Sequence, residues 1–182
     1  MMMHENKGTR TENLNIQKAV SEDVDEIEAI YHESIAWLNG QSIHQWQEGV
    51  YPTRKSAQMA LDDDSLYCCR INQKIVATFI INEIQPPQYQ TLNWKYQGPA
   101  MVLHTLVVRP CDSGRGIGRL AVEYVIRQAR KNKYHCVRLD AFPDNKAAVR
   151  LYLSLGFEYA GKVFFDIKEP SYEWYDCYEM KL

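Results

Sequence analysis

The chain is short of almost everything that marks a specialised class. It has no C-x-x-C pair: its five cysteines, Cys68, Cys69, Cys111, Cys136 and Cys177, are an odd, scattered set. Zinc-ribbon and thioredoxin-like readings therefore fail, and reduced, mostly buried thiols of a cytoplasmic protein are expected. No Gly-Lys-Ser/Thr occurs, which excludes a P-loop. No apolar run approaches the ~20 residues of a membrane helix, and the polar start MMMHENKGTRTEN has no apolar h-region. Formal net charge is only −2, so no strong field favours nucleic acid or an anionic membrane. No spacing suggests a metal site. Glycine is sparse as well, with 9 in 182 residues, yet three of them fall at every second position in Gly114-Arg115-Gly116-Ile117-Gly118.

What is present fits one domain with an ordinary 46% hydrophobic content. Residues 1–12 read as a loose tail and 13–182 as the domain. Leu14–Val20 alternates as a first strand. Ser21 is the expected N-cap of a helix to about Leu38, ended by Asn39-Gly40. Thr53 caps a second helix through Ala60. Strands are expected over Ser65–Ile71 and Lys74–Asn82 around an Asn72-Gln73 turn, and over Ala100–Arg109 after a long loop. That loop, Glu83–Pro99, holds three prolines. Arg115–Asn132 has a helical apolar stripe. Cys136–Ala141 is a strand with Val137, Leu139 and Ala141 on one face and Arg138 and Asp140 on the other. Asp144 is the expected N-cap of a helix through Leu155, with Gly156 as its left-handed C′ residue. Phe157–Phe165 and Trp174–Leu182 complete the order β α α β β β α β α β β. The central strand–helix–strand unit requires a parallel pair and the flanking hairpins antiparallel ones, hence a mixed α/β sheet.

A glycine turn that opens a helix is suited to phosphate, because the first-turn N–H groups and the helix dipole point at it. A Rossmann fingerprint needs G-x-G-x-x-G and an acid about twenty residues on. The chain offers G-x-G-x-G, with Asp140 near that distance, but antiparallel strands on both sides.

The string LVVRPCDSGRGIGRL resembles the acetyl-CoA pyrophosphate motif of the GNAT family of N-acetyltransferases, Gln/Arg-x-x-Gly-x-Gly/Ala after a strand. The string RLDAFPDNKAAVRLYLSLGF, about thirty residues on, resembles the family's second signature, N-x-x-A-x-x-L-Y-x-x-x-G-F. The element order matches too, so the resemblance covers nearly all of residues 13–182. One position departs: Ser113 stands where the family prefers Arg or Gln, leaving Arg115 or Arg119 to supply the charge.

The resemblance implies an acyltransferase moving acetyl from acetyl-CoA to a primary amine by direct attack, without a metal. Ser113, Gly114, Arg115, Gly116, Ile117, Gly118 and Arg119 would cradle the pyrophosphate. The backbone of Leu106, Val107 and Val108 would bond the pantetheine arm, an N–H near Val108 would polarise the thioester, and Asn145 and Ala148 would flank the arm. Tyr152, two helical turns after Asn145, would protonate the leaving thiolate, which a phenol of pKa ~10 can do at neutral pH. Its other reading is an ordinary core tyrosine, with the motif favouring the functional role. His104, expected on the same strand face as Leu106 and Val108, resembles the base of the arylalkylamine branch and reads equally as a structural histidine. Asp140 would orient it or act alone, or pair with Arg138 or Lys146. Trp46, Tyr51, Glu83 and His104 are the acceptor-site candidates, with His44, Glu48, Tyr89 and Trp94 in the wider set. The acceptor would be a small-molecule amine or a protein amine, and the final strands would suit a homodimer. Rival readings are a non-enzymatic CoA-binding module and a dinucleotide-dependent oxidoreductase.

Overall fold

The computed structural model describes residues 13–166, 168 and 170–182. The tail expected over residues 1–12 lies outside these. The elements are β1 (Asn15–Lys18), α1 (Val24–Asn39), α2 (Arg54–Asp62), β2 (Leu66–Ile71), β3 (Lys74–Asn82), β4 (Ala100–Val108), α3 (Ile117–Lys131), β5 (Cys136–Ala141), α4 (Lys146–Ser154), β6 (Glu158–Phe164) and β7 (Trp174–Lys181). Among the described residues the strands form one sheet in the order β1-β2-β3-β4-β5-β7-β6. Every neighbour pair is antiparallel except β4–β5, which α3 connects as a parallel pair. The expected mixed α/β architecture is the observed one.

Local chemistry accounts for the boundaries. Thr53 Oγ1 accepts the Ser56 N–H at the start of α2. Asn72 and Gln73 both take positive φ, 50° and 67°, the twist a two-residue hairpin requires. Two expected caps were misplaced. Ser21 opens a short 3-10 turn, and Asp23 accepts the Val20 N–H and pairs with Arg70 at 2.5 Å before α1 begins at Val24. Asn145, not Asp144, caps α4, its side chain accepting the Ala148 N–H. Gly156 has φ +93°, as its C′ position demands.

The sheet is covered on both faces. α3 lays Ile117, Ala121, Val122, Val125 and Ala129 against Met101, Leu103, Val137 and Leu139. On the other face α1 and α2 bury Ile27, Ile30, Tyr31, Ala57 and Ala60 against β2, β3 and Val107. The 83–99 loop covers the remaining part of that face, with Tyr89 and Trp94 over Val102, Val163 and Cys177. Arg138 holds the loop there: its guanidinium lies 4.3 Å from the Trp94 ring and donates to the Gln85 side chain and the Tyr96 carbonyl, both at 2.7 Å. Glu179 accepts the Lys95 N–H at 2.7 Å.

β4 carries the irregularity that matters for the site. His104 pairs with Ile80 and Val107 with Thr78, so three steps along β4 match two along β3. Thr105 takes the extra step with φ +49°. Directly opposed cross-strand residues share a face. His104 therefore lies with Ile80 on the α1/α2 side, whereas Leu106 and Val108 pack against the α3/α4 cluster. Strict alternation had placed His104 on their face, and the bulge is why it is not there.

Candidate active site

The β4–β5 ladder runs only from Ala100↔Cys136 to Val102↔Arg138. Beyond it the strands part, and the free edge of β4 opens onto two adjoining cavities.

The first, about 410 Å³, runs along α3's N-terminus. Leu106, Val107 and Val108 form one wall, Ser113, Gly114, Gly116, Ile117, Gly118 and Arg119 the end, and Asn145, Ala148 and Tyr152 the other wall. The glycines serve two purposes. Gly114 and Gly116 have φ +76° and +80°, and a Cβ on either would meet no atom within 4 Å, so the backbone there faces open groove. At Gly118 a Cβ would stand 3.4 Å from Leu151 and 3.6 Å from Val108, so this glycine lets α3 approach α4 and β4. No side chain caps α3 and no acid stands in its first turn, leaving those N–H groups and the positive end of the dipole to an anion.

The basic side chains near the cradle are engaged within the protein. Arg115 pairs with Asp112 three residues back and does not line the groove, so of the two side chains expected to replace the charge missing at Ser113 only Arg119 reaches it. Arg119 lines the groove, donating to Ser154 Oγ at 2.7 Å and pairing with Glu123 at 3.5 Å. Asn145 is also committed: Oδ1 caps α4 and Nδ2 donates to Gln45 Oε1 at 2.9 Å.

The second cavity, about 220 Å³, lies on the other side of Tyr152. It shares Gln45, Trp46, Leu106, Asn145, Ala148 and Tyr152 with the first. Its aromatic walls include Tyr51, Phe142, Phe165 and Tyr175, and its charged groups are Asp140 and Lys168. The Tyr152 hydroxyl has no hydrogen-bond partner among the described residues. Burial first, then the Asp140 charge, pushes its pKa up, so it stays protonated.

Asp140 accepts from the Tyr89 hydroxyl at 2.8 Å, not from Arg138 or Lys146. Burial raises its pKa, against the Tyr89 hydrogen bond and the Lys168 charge. His104 lines this cavity and reaches Asn82 Oδ1 at 3.0 Å from Nε2. That oxygen already accepts the Ile84 N–H at 2.9 Å, which assigns the ring proton to Nε2. Burial lowers the His104 pKa to about 4, so the ring is neutral at pH 7. Tyr51 and the displaced Thr105 share a hydrogen bond in the cavity wall.

Trp46, Tyr51 and His104 line the second cavity, and Glu83 does not: it is exposed and accepts from the Tyr134 hydroxyl. Of the wider set, His44 and Glu48 line an adjoining cavity of about 190 Å³ that shares Gln45, Trp46, Tyr51 and Lys168 with the second, and Trp94 lies in the core under the loop. Sequence reasoning missed Gln45 and Lys168. Gln45 borders both main cavities, and its carbonyl accepts Tyr175 Oη at 2.7 Å and Lys168 Nζ at 3.2 Å. Neither residue sits in a periodic pattern; the aromatic density around Gln45 was the one available signal. Among the described residues no cluster of three His, Cys, Asp or Glu side chains is placed for a metal, and no helix is long and apolar enough to cross a membrane.

Comparison with known proteins places this geometry in context. The family model described as acetyltransferase (GNAT) matches residues 27–157. An uncharacterized N-acetyltransferase of Methanocaldococcus jannaschii is 30% identical over 103 residues, which is 55% of this chain and 42% of that protein. The chain thus spans less than half of that relative's length. A GNAT-family acetyltransferase from Streptococcus agalactiae superposes with a TM-score of 0.81 at 18% identity, covering 94% of this chain and 96% of its own. An acetyltransferase from Salmonella typhimurium, solved with acetyl-CoA, gives 0.66 at 18% identity over 93% and 94%.

Proposed function

The chain belongs to the acetyltransferase (GNAT) family, and from that premise we propose that it transfers an acetyl group from acetyl-CoA to a primary amine by direct attack. The observation that carries this reading is the meeting of a phosphate-suited groove and a smaller, charged cavity at Leu106, Asn145, Ala148 and Tyr152. An extended chain lying along the free β4 edge from the glycine cradle would end beside the Tyr152 hydroxyl.

Each residue then has a task. The N–H groups from Gly114 to Arg119 hold the pyrophosphate by backbone and dipole, which is why Ser113 in place of Arg or Gln does not remove the site. The Leu106 backbone stands at the junction, a better place than Val108 for the N–H that stabilises charge developing on the thioester oxygen. Asp140 attracts the ammonium and accepts its proton. It is favoured over His104 because a carboxylate can do both and burial makes it a stronger base, whereas burial makes His104 a weaker one. The amine nitrogen forms its bond to the acetyl carbon as the carbon–sulfur bond breaks, and Tyr152 protonates the departing thiolate. Among the described residues no cysteine lines either cavity, and burial pushes the Cys68 and Cys69 thiols up to about 12, which supports attack without an acyl-enzyme. Positioning contributes most: effective molarity supplies ~7–11 kcal/mol, against roughly 3–5 kcal/mol for one acid or base.

The test is CoA release across a broad amine panel, alongside thermal shift with acetyl-CoA. Stabilisation by acetyl-CoA with turnover on at least one amine is expected. Stabilisation without turnover would leave a CoA-binding module, and stabilisation by NAD instead would overturn the reading.

A further inference from the structure

The charges of the 220 Å³ cavity come from opposite signs that do not meet. Asp140 and Lys168 both line it, yet no ion pair within 4.0 Å joins them. Lys168 Nζ makes one hydrogen bond, to the Gln45 carbonyl at 3.2 Å. Otherwise it rests over two aromatic faces, 5.3 Å from the Tyr51 ring centroid and 5.2 Å from that of Tyr175. An ammonium has three donors, so two remain uncommitted among the described residues. Asp140 has one donor, Tyr89, on Oδ2, and its Oδ1 has none. A partly desolvated charge without a counter-ion in contact is costly, and a ligand that supplies both missing counter-charges relieves both costs at once.

Building on the acetyl-transfer reading, we propose that the acceptor is an amino-acid-class zwitterion, its ammonium facing Asp140 and its carboxylate facing Lys168. The aromatic walls suit an apolar or aromatic side chain on that acceptor. Gln45 links the two ends of the arrangement. Its carbonyl fixes Lys168 and Tyr175, while its side chain fixes Asn145 at the start of the helix that carries Tyr152. The carboxylate subsite is thereby tied to the same element as the reacting end.

The experiment compares CoA release with L-amino acids and with the amines obtained by removing their carboxylate: phenylalanine against 2-phenylethylamine, leucine against 3-methylbutylamine, methionine against 3-(methylthio)propylamine. In the wild-type protein at least one amino acid is expected to exceed its partner in kcat/KM by about ten- to a hundredfold, the range one charge-assisted hydrogen bond gives. Lys168→Met should collapse that ratio towards one, chiefly through the KM of the amino acid, and Lys168→Arg should restore most of it. Both variants are first checked for stabilisation by acetyl-CoA, which lies in the other cavity and should be retained. Equal or better turnover of the decarboxylated amines, or a ratio that Lys168→Met leaves intact, overturns the carboxylate subsite but not acetyl transfer. Absence of turnover on every amine, with or without a carboxylate, overturns acetyl transfer itself.

Discussion

The two cavities that meet at Tyr152 are made of different material. The phosphate end of the groove is one contiguous stretch, the end of β4 and the turn into α3, where two positive-φ glycines and an uncapped helix start present backbone. The smaller cavity is lined by residues from segments far apart in the chain, between Gln45 and Tyr175, and its character comes from two half-buried ionisable groups, Asp140 and Lys168. A backbone cradle reads charge and reach and tolerates exchange of the side chains around it; Ser113 is such an exchange. A side-chain cavity has no such tolerance, since one altered atom changes its charge or leaves a neighbour unpaired. Cofactor and acceptor recognition should therefore fail separately.

The largest separation is expected at Asp140. Asp140→Asn keeps the shape and removes the charge, and should lower kcat/KM for the amine by roughly 10²–10⁴-fold, as loss of a general base does. The KM for acetyl-CoA should remain within about twofold. Parallel loss of both would mean that the cavities act as one unit, and the comparison would break.

His104 tests the burial of the same cavity by stability instead of rate. Its folded pKa, about 4, lies below the ordinary value of 6.5. A depressed pKa means stability that is present above pH 6.5 and lost as pH falls towards 4. Denaturant unfolding of the wild type should lose about 2–3 kcal/mol between pH 7 and pH 4.5 through this group. His104→Gln, which does not titrate, should flatten that part of the curve. Identical pH profiles for the two proteins would show that the ring is not desolvated.

The smallest effect belongs to the groove. Gly116→Ala must hold φ +80° with a Cβ, at about 1–2 kcal/mol. The KM for acetyl-CoA should rise about 5–30-fold while kcat at saturation barely moves. A loss of kcat with unchanged KM would place the glycine in the chemistry rather than the grip.

The same contrast explains what the sequence made legible. The α3 stripe, the Asn72-Gln73 turn, the Gly156 cap and the faces of β5 are local features whose period or turn chemistry is written in consecutive residues. So is the glycine cradle. His104 was misplaced because one residue of bulge at Thr105 reverses every later face of β4, and nothing local announces it. Tyr89 on Asp140, Glu83 on Tyr134 and Lys168 on Gln45 are contacts across 51, 51 and 123 positions, created by where the long loop and the β6–β7 connection settle. The smaller cavity is assembled from contacts of that kind, so its aromatic lining could be anticipated in part, and of its two charges Asp140 could be and Lys168 could not.

Tyr152 belongs to both cavities, and replacing its hydroxyl asks most directly whether chemistry occurs where they join. With the best amine from the panel, steady-state kinetics of Tyr152→Phe should show kcat lowered roughly ten- to a thousandfold while the Kd for acetyl-CoA, measured by calorimetry, is unchanged. An unaltered kcat would contradict the assignment of the acid, and with it the account of the junction as the place of transfer.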